Sequence, residues 1–309
     1  MKQFKAILFS CAYINLQFLY IFIISFPCFA CTIFNSNKGD SILVGNNEDR
    51  NVRTTKVWFS PPSPNKHGWI GFGFNTSYPN YPEGGMNDQG LFFDWAALRQ
   101  RSDVVFPSEK PNFMRYAPVK ILEECATIED VIELYQKYNE PIFTRAHIMW
   151  VDSIGNSAII EWGKNDLSII RKDGHFQVMT NFNVTDQNLT GGYPCRRHNT
   201  ASQMLQDNGA TIDVFRSILN AVHQEGSYPT QYSNIYNLQN RIIYVYHYHN
   251  YNSVIKFDLT DELGKGFHSY ELPSLFTDLE SHPTESQIPM QSQLYQNHPN
   301  PFNPSTTIK

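Results

Sequence analysis

Residues 25–34 read Ser-Phe-Pro-Cys-Phe-Ala-Cys-Thr-Ile-Phe, and this stretch determines how the rest of the chain is interpreted. It closes a mostly apolar run, residues 6–29, that follows two lysines and contains no acidic residue. A positive start, an apolar run and a small-x-small end, here residues 28–30, are typical of a secretory signal peptide. We therefore predict a signal peptide at residues 1–30 and a mature chain that is secreted or held at the cell surface.

Cleavage after Ala30 makes Cys31 the first residue of the mature chain, which gives one residue two reactive groups. The thiol is a nucleophile, and a free α-amine has an unperturbed pKa of about 7.7 to 8.0. The amine is therefore able to take the thiol proton and return it to a leaving amine at neutral pH. Two alternatives stay open: the apolar run also suits a membrane anchor, and acylation of Cys31 would produce a lipoprotein.

The composition of the chain excludes several functional classes. Of 309 residues, 41% are hydrophobic and 17% are charged, so most of the chain is not intrinsically disordered. The formal charge of −5 comes without a basic run of five or more residues, and nucleic acid is therefore not expected as a partner. Removal of the signal peptide also removes Cys11 and Cys28. Three cysteines remain, of which at least one is unpaired.

The pattern of the mature chain predicts grouped strands and separate helices. Helices are predicted at residues 117–138, with Thr127 as an N-cap, and near residues 199–206 and 211–224. Grouped strands with segregated helices favour α+β layers over alternating βαβ units. Strands are predicted at residues 32–34, 41–44, 57–60, 69–74, 90–98, 146–151, 157–162, 167–171, 176–180, 235–237, 241–249 and 254–257.

The composition changes again after residue 276. Residues 277–293 are polar and rich in Gln and Ser, which predicts a linker. Residues 294–309 read Leu-Tyr-Gln-Asn-His-Pro-Asn-Pro-Phe-Asn-Pro-Ser-Thr-Thr-Ile-Lys and resemble the start of the C-terminal sorting domain of proteins exported by type IX secretion. This resemblance implies the export machinery as a partner. Because such domains normally continue through further strands, we expect this one to be truncated.

Three polar segments carry residue types that suit amide chemistry around Cys31. Residues 45–50, Gly-Asn-Asn-Glu-Asp-Arg, follow a predicted strand, and an aspartate there would orient an α-ammonium group. Residues 83–91, Glu-Gly-Gly-Met-Asn-Asp-Gln-Gly-Leu, predict a hairpin turn at residues 88–90. Residues 178–183 form a strand that leads to a polar loop, and a side-chain amide at a strand end is a good donor to an oxyanion. Each segment alone is equally typical of an ordinary turn or loop.

These ordered motifs together resemble the choloylglycine hydrolase family, which comprises linear-amide hydrolases with an N-terminal nucleophile and includes penicillin V acylase and bile salt hydrolase. The resemblance spans residues 31–276 and implies a four-layer αββα fold. It rests on Cys31-Thr32, on residues 45–49 and 85–91, on Thr180-Asn181, and on residues 230–240 with Tyr244.

The resemblance also implies roles for individual residues. Cys31 would be nucleophile and base, Asp49 its partner, and Asn181 an oxyanion donor. Arg197 would stabilise the nucleophile region, and we prefer it to Arg196 because its spacing to the following helix fits the family better. The assignment of the base stays open here, since the sequence leaves His147 or His198 as alternatives to the α-amine of Cys31.

The substrate is the least specified part of this hypothesis. Asn46 stands where bile salt hydrolases carry Arg, which weakens bile acid as the substrate, and the family's polar oxyanion group falls near Ala97. We name Asn46, Asn87 and Trp95 as candidate substrate contacts. No cofactor or metal is expected, because the ten histidines lack ligand spacing. The predicted activity is an exported amidase acting on a small N-acyl amide, with an acyltransferase or an inactive secreted binding protein as alternatives.

Overall fold

Within residues 31–281, which the computed structural model describes, fourteen strands form two antiparallel sheets. The strands are β1 (Thr32–Ser36), β2 (Leu43–Asp49), β3 (Thr55–Ser60), β4 (Trp69–Phe74), β5 (Gly84–Asn87), β6 (Phe92–Ala97), β7 (Ala146–Val151), β8 (Ser157–Trp162), β9 (Leu167–Arg171), β10 (Phe176–Met179), β11 (Thr230–Asn237), β12 (Ile242–His247), β13 (Asn250–Asp258) and β14 (His268–Glu271). The helices are α1 (Ala117–Glu124), α2 (Ile128–Lys137), α3 (Arg196–Asp207), α4 (Ile212–Val222), α5 (Leu259–Gly264) and α6 (Leu272–Ser281), with a 3₁₀ turn at Pro141–Thr144.

The two sheets pack face to face between two helical layers. The first sheet has the order β10-β1-β2-β11-β12-β13, and the second has the order β14-β3-β4-β5-β6-β7-β8-β9. Apolar residues of both sheets form a core between them, while α3 and α4 cover the outer face of the first sheet and α1 and α2 cover that of the second. This αββα arrangement confirms the predicted fold class.

Strand periodicity determines which side chains enter the space between the sheets. Along β6, Phe92 and Ala96 belong to the intersheet core, whereas Phe93 and Trp95 pack against the helices. The same two-residue alternation applies to β1 and β2, where Val44 faces the second sheet and Leu43 faces the helices. Residues at even spacing from these positions therefore share the intersheet space.

The predicted helix at residues 117–138 is two helices. Cys125 and Thr127 have extended backbone conformations, which interrupts the first helix after Glu124. The Thr127 side chain accepts a hydrogen bond from the Asp130 backbone N–H, so that it caps α2 as expected. The N-cap was predicted correctly, but the continuity of the helix was wrong.

Strand β2 is longer than predicted and passes through residues 45–49. Its backbone pairs with β1 on one side and β11 on the other, so these polar residues lie in a central strand and not in a turn. Residues 84–87, for which no strand was predicted, form β5, and the turn at residues 88–90 follows as predicted. The sequence analysis did not predict β14, α5 or α6.

Helix α6 continues to Ser281, five residues beyond the domain boundary predicted at residue 276. The predicted signal peptide, the rest of the predicted linker and the type IX tail lie outside the described residues. Among residues 31–281, no helix combines the length and the apolar character that crossing a membrane requires.

Candidate active site

Arg197 joins the segments that were predicted to form the site. It lies in the first turn of α3, is buried, and donates from Nη1 to the carbonyl oxygen of Cys31 and to Oγ1 of Thr32, both at 2.6 Å. Its Nη2 donates to Oδ1 of Asn181 at 2.9 Å. Arg196, the alternative considered above, is directed instead to the Ala221 carbonyl oxygen at 3.4 Å in an exposed contact. The geometry therefore places Arg197, and not Arg196, beside Cys31.

Asp49 lies at the end of β2, close to Arg197 and fully buried. Its Oδ2 is 4.0 Å from Arg197 Nη1 and accepts from Gln224 Nε2 at 2.9 Å, while its Oδ1 accepts from the Thr230 hydroxyl. Burial raises the pKa of Asp49 to about 7, although these three partners act in the opposite direction. The backbone N–H of Asp49 also reaches the Cys31 thiol and lowers its pKa. Asp49 thus touches the nucleophile through its backbone and the arginine through its side chain.

Asn181 follows β10 and has both ends of its amide group oriented. Its Oδ1 accepts from Arg197, and its Nδ2 donates to the carbonyl oxygen of Ala97 at 2.9 Å. A primary amide carries two N–H bonds, so one remains for another acceptor. Ala97 is the position where the family's polar oxyanion group was expected, and here its backbone carbonyl helps to hold Asn181.

A buried pair, His147 and Glu161, ties the Asn181 loop to the second sheet. His147 Nε2 lies 2.6 Å from the Thr180 carbonyl oxygen, and Nδ1 lies 3.0 Å from Glu161 Oε2. Glu161 also accepts from the backbone N–H groups of Val184 and Thr185 at 3.0 and 2.6 Å. Burial opposes ionisation of Glu161, but the hydrogen bond and charge of His147 hold its pKa below the ordinary value. Both ring nitrogens of His147 are occupied, which argues against it as a base for the thiol.

His198, the second alternative base, has its ring against Phe182 at a centroid distance of 5.2 Å. Burial lowers the pKa of His198. No described contact joins its ring to Cys31, so the geometry gives it no part in thiol deprotonation.

Glu48 is a site residue that the sequence analysis did not single out. The Cys31 Sγ lies 3.6 Å from Glu48 Oε2, because residues 31 and 48 are cross-strand neighbours that face the second sheet. Burial, and then the charge of Glu83, raise the pKa of Glu48 to about 8. Burial also raises the pKa of the Cys31 thiol, and the neighbouring carboxylates reinforce this. The thiol therefore needs a base before it attacks a carbonyl group.

Two of the three candidate substrate contacts, Asn87 and Trp95, have structural partners in the described residues, and their role towards a substrate stays a prediction. Nδ2 of Asn87 donates to the carbonyl oxygens of Leu122 and Cys125 at 2.9 and 2.8 Å, and these hydrogen bonds connect β5 to the C-terminal end of α1. Its Oδ1 accepts from two backbone N–H groups of the following turn, which completes a structural role. Trp95 packs in the helix-facing core, where its indole donates to the Tyr116 hydroxyl at 2.7 Å. Asn46, the third, is buried on the same face of β2 as Glu48.

Five large aromatic residues of the second sheet belong to its two cores. Trp58, Trp69 and Phe93 pack with Trp95 beneath the helices, and Phe92 lies between the sheets. All three cysteines among the described residues are free thiols. These are Cys31, Cys125 and Cys195.

One group of side chains in the described residues has the geometry to hold a divalent metal ion. The ligand atoms of His223, Glu225 and His249 lie within 4.8 Å of one another, on the loop after α4 and on the turn between β12 and β13. This group is partly exposed and lies outside the contacts of Cys31 described above. The expectation that the chemistry needs no metal stays a prediction.

Comparison with known families gives this geometry a context. Residues 35–258 match the acyl-coenzyme A:6-aminopenicillanic acid acyl-transferase family. The chain belongs to that family. The motifs had suggested the choloylglycine hydrolases, whereas the family model that matches is that of the acyltransferase. No curated protein sequence matches this chain.

Solved structures show the same fold at low sequence identity. Two mutant forms of conjugated bile acid hydrolase from Clostridium perfringens have TM-scores of 0.60 and 0.61, with 22% identity over 78% of this chain and 96% and 97% of theirs. Penicillin V acylase from Agrobacterium tumefaciens has a TM-score of 0.63, with 19% identity over 78% of this chain and 92% of that protein. These similarities show that the chain shares the fold of these two enzymes.

Proposed function

We propose that the mature protein is an exported cysteine amidase that hydrolyses a linear, non-peptide N-acyl amide through Cys31. The observation that carries this proposal is the Arg197 side chain, which contacts both the Cys31 carbonyl and Asn181. One buried cation thereby contacts the backbone of the proposed nucleophile and the side chain of the proposed amide donor.

The first half of the proposed reaction forms an acyl-enzyme. The α-amine of the mature Cys31 takes the thiol proton, and the thiolate attacks the carbonyl carbon of the substrate. The second N–H of Asn181 donates to the oxyanion that develops there. The C–N bond then breaks, and the α-ammonium returns its proton to the leaving amine. Because the folded environment raises the pKa of the thiol, a base of this kind is needed at neutral pH.

The second half regenerates the enzyme by the same route. A water molecule loses a proton to the α-amine and attacks the thioester carbonyl carbon. The C–S bond breaks, the thiol recovers the proton from the α-ammonium, and a carboxylic acid leaves. No redox change occurs in either half, and no electron acceptor is needed.

The proposal includes export of the protein. A signal peptide at residues 1–30 would deliver the chain across the inner membrane and expose the Cys31 amine. The sequence at residues 294–309 adds type IX secretion as a proposed route to the surface or medium. Intact-mass analysis of the secreted protein should find an unmodified Cys31 at its N-terminus. A lipidated cysteine, or cleavage at another bond, would remove the proposed base.

Activity is tested by amine release from N-acyl amides, penicillin V and conjugated bile salts. The mature protein should release amine from at least one class, and Cys31→Ala should release none. Intact-mass analysis during turnover should show an acyl group on Cys31. Absence of release and of acylation across all classes would support the alternative of a secreted binding protein that keeps the fold.

Acyl transfer is the second candidate, and the family match favours it. A transferase passes the acyl group from the thioester to an amine, where a hydrolase passes it to water. Product analysis in the presence of a primary amine distinguishes the two. A new amide that increases with amine concentration, at the expense of the free acid, would identify a transferase.

A further inference from the structure

A group of polar side chains lies in the intersheet space, on the sheet face that carries the Cys31 thiol. Several of their acceptor oxygens have no hydrogen-bond donor among the described residues. Asn46 and Glu48 occupy this face of β2, and Asn234 and Tyr232 are their cross-strand neighbours on β11. Asp94 enters from β6 of the opposite sheet. We call these five residues the acceptor cluster. Each of them is at most 2% exposed.

Contacts across the sheets show that the cluster faces one space. The Tyr232 ring packs on Phe72 of the second sheet at 5.8 Å between centroids. Asp94 lies on the same face of β6 as Phe92, which belongs to the intersheet core. Gly84 is paired with Asp94, and a Cβ atom at Gly84 would come within 2.7 Å of the Asp94 Oδ2. The glycine therefore makes room for this carboxyl group at the centre of the sheet.

The cluster has more acceptors than the chain can satisfy. Within the described residues, Oδ1 of Asn46, Oδ1 of Asn234 and the Tyr232 hydroxyl have no hydrogen-bond partner, and the Asp94 carboxyl group has only the backbone N–H of the adjacent Trp95. A buried acceptor without a donor costs about 1–3 kcal/mol, and native proteins keep few of them. Two unpartnered amide oxygens, and a carboxyl group with a single backbone donor, indicate that further donors arrive with a bound molecule.

The charges around the cluster also favour a cation. Glu48 and Asp94 are buried carboxyl groups near the thiol, and the half-buried Glu83 lies near both of them. Arg50 contacts Glu83 at 2.8 Å and Glu48 at 3.8 Å. Burial raises the pKa of Asp94, and the charges of Glu48 and Glu83 add to this effect, which the nearby Trp95 amide only partly offsets. One arginine therefore shares its charge between two of the three acids. A further positive group would stabilise the ionised form of the third.

We propose that the acceptor cluster recognises a protonated amine on the substrate, so that the preferred N-acyl amides carry an ammonium group as well as the scissile bond. This inference rests on the proposed function, because it assigns a substrate class to the same site. An ammonium group provides three N–H donors and a positive charge. It would form an ion pair with Asp94 and donate hydrogen bonds to Oδ1 of Asn46 and Oδ1 of Asn234.

Binding of an amine should depend on pH in a defined direction. The groups that face or adjoin Asp94 are Cys31, Glu48, Glu83, Arg50, Tyr232 and Tyr236, and Asp49 lies beside Cys31. Burial raises the pKa of Glu48 to about 8, so this carboxyl group holds a proton in the free protein at neutral pH, and burial raises the pKa of Asp94 in the same direction. Binding of a cation would release protons, and affinity would increase as pH rises towards 8.

The experiment uses the mature Cys31→Ala protein, which binds without turnover. The probes are ω-amino carboxamides with two to five methylene groups, each compared with the isostere in which a methyl group replaces the ammonium group. Calorimetry at pH 8 should show at least one amine that binds about tenfold more tightly than its isostere, since hydrogen bonds to charged groups contribute about 1.5–3 kcal/mol. Asp94→Asn should bring this ratio close to one, whereas Asp40→Asn, at an exposed site, should preserve it.

The outcomes separate this inference from the proposed function. Equal binding of every amine and its isostere, or a preference that survives Asp94→Asn, would overturn the inference. Turnover is measured separately with the wild-type protein and the corresponding p-nitroanilides. Hydrolysis of neutral anilides without an amine preference would leave the amidase proposal intact and refute the substrate class. A binding preference for the amines without any acylation of Cys31 would support recognition of an ammonium group and refute the amidase proposal.

Discussion

The Arg197 guanidinium donates a hydrogen bond of 2.6 Å to the carbonyl oxygen of Cys31, although 166 positions separate the two residues. The contact holds in place the backbone of Cys31, whose thiol is the proposed nucleophile. The same side chain reaches Asn181, so the position of the amide donor depends on it as well. Arg197 is therefore the residue on which the geometry of the proposed site depends most.

Arg197→Lys should lower kcat/KM by about 10- to 150-fold. A lysine ammonium keeps the charge but lacks the planar fork that reaches two segments together, and one charge-assisted hydrogen bond contributes about 1.5–3 kcal/mol. The matched control is Arg196→Lys, one residue earlier in the same helix, which should retain wild-type activity. Equal kinetics for the two variants, with unchanged circular dichroism, would show that Arg197 has no special part in the site.

Asn181→Ala should lower kcat by about 10²- to 10³-fold, the usual effect of removing one oxyanion donor. The cause would be loss of stabilisation in the transition state, so KM should change little. Asn188→Ala, in the exposed part of the following loop, provides the control. Turnover near the wild-type value in a folded Asn181→Ala protein would mean that Asn181 only connects β10 to the loop.

Glu161→Gln should destabilise the protein by about 3–5 kcal/mol, the usual effect of breaking a buried ion pair from one side. Urea unfolding measures this change, with the exposed Glu133→Gln as control. If Glu161 and His147 also position the Asn181 loop, the kcat losses of Glu161→Gln and Asn181→Ala should be less than additive when combined. Full additivity would assign the pair a structural role alone.

Glu48→Gln should change how stability depends on pH. The pKa of Glu48 is about 8 in the folded protein and about 4.3 in an unfolded chain. Between these values the folded state binds more protons than the unfolded state, so the free energy of unfolding falls as pH rises. For one group the slope is at most about 1.4 kcal/mol per pH unit.

Urea unfolding between pH 5 and pH 8 tests this relationship. The variant should gain stability relative to the wild-type protein as pH rises, because glutamine cannot ionise. Glu133→Gln, on the exposed face of α2, should show no such trend. Parallel curves for Glu48→Gln and the wild-type protein would indicate an ordinary pKa for Glu48.

Much of the fold was predictable because it follows simple apolar patterns. The bounds predicted for β7, β8 and β9 equal those observed, since alternating or apolar runs end there at Gly, Asn and Asp residues. Strand β2 was missed in part because a central strand that carries Asn46, Asn47, Glu48 and Asp49 lacks an apolar signal.

The direction of side chains was the other limit of the sequence analysis. Trp95 faces the helices, whereas the adjacent Asp94 faces the intersheet space. The sequence alone does not determine which of two alternating strand positions faces which side of the sheet. The acceptor cluster was therefore invisible, although the two-residue spacing of Asn46 and Glu48 was a usable signal. The structural partners of Asn87 were equally unpredictable, because the carbonyl oxygens of Leu122 in α1 and of Cys125 just after it lie more than 30 positions away.

The central claim is that the free α-amine of Cys31 is the catalytic base, and one comparison tests it directly. Amine release is measured for the mature protein that begins at Cys31 and for a protein that begins Met-Cys31, with the methionine verified by mass. The account predicts that the first is active and the second is inactive, although no side chain of the site differs between them. Equal activity would contradict it and would assign the proton to another group, of which Glu48, 3.6 Å from the thiol, is the nearest described.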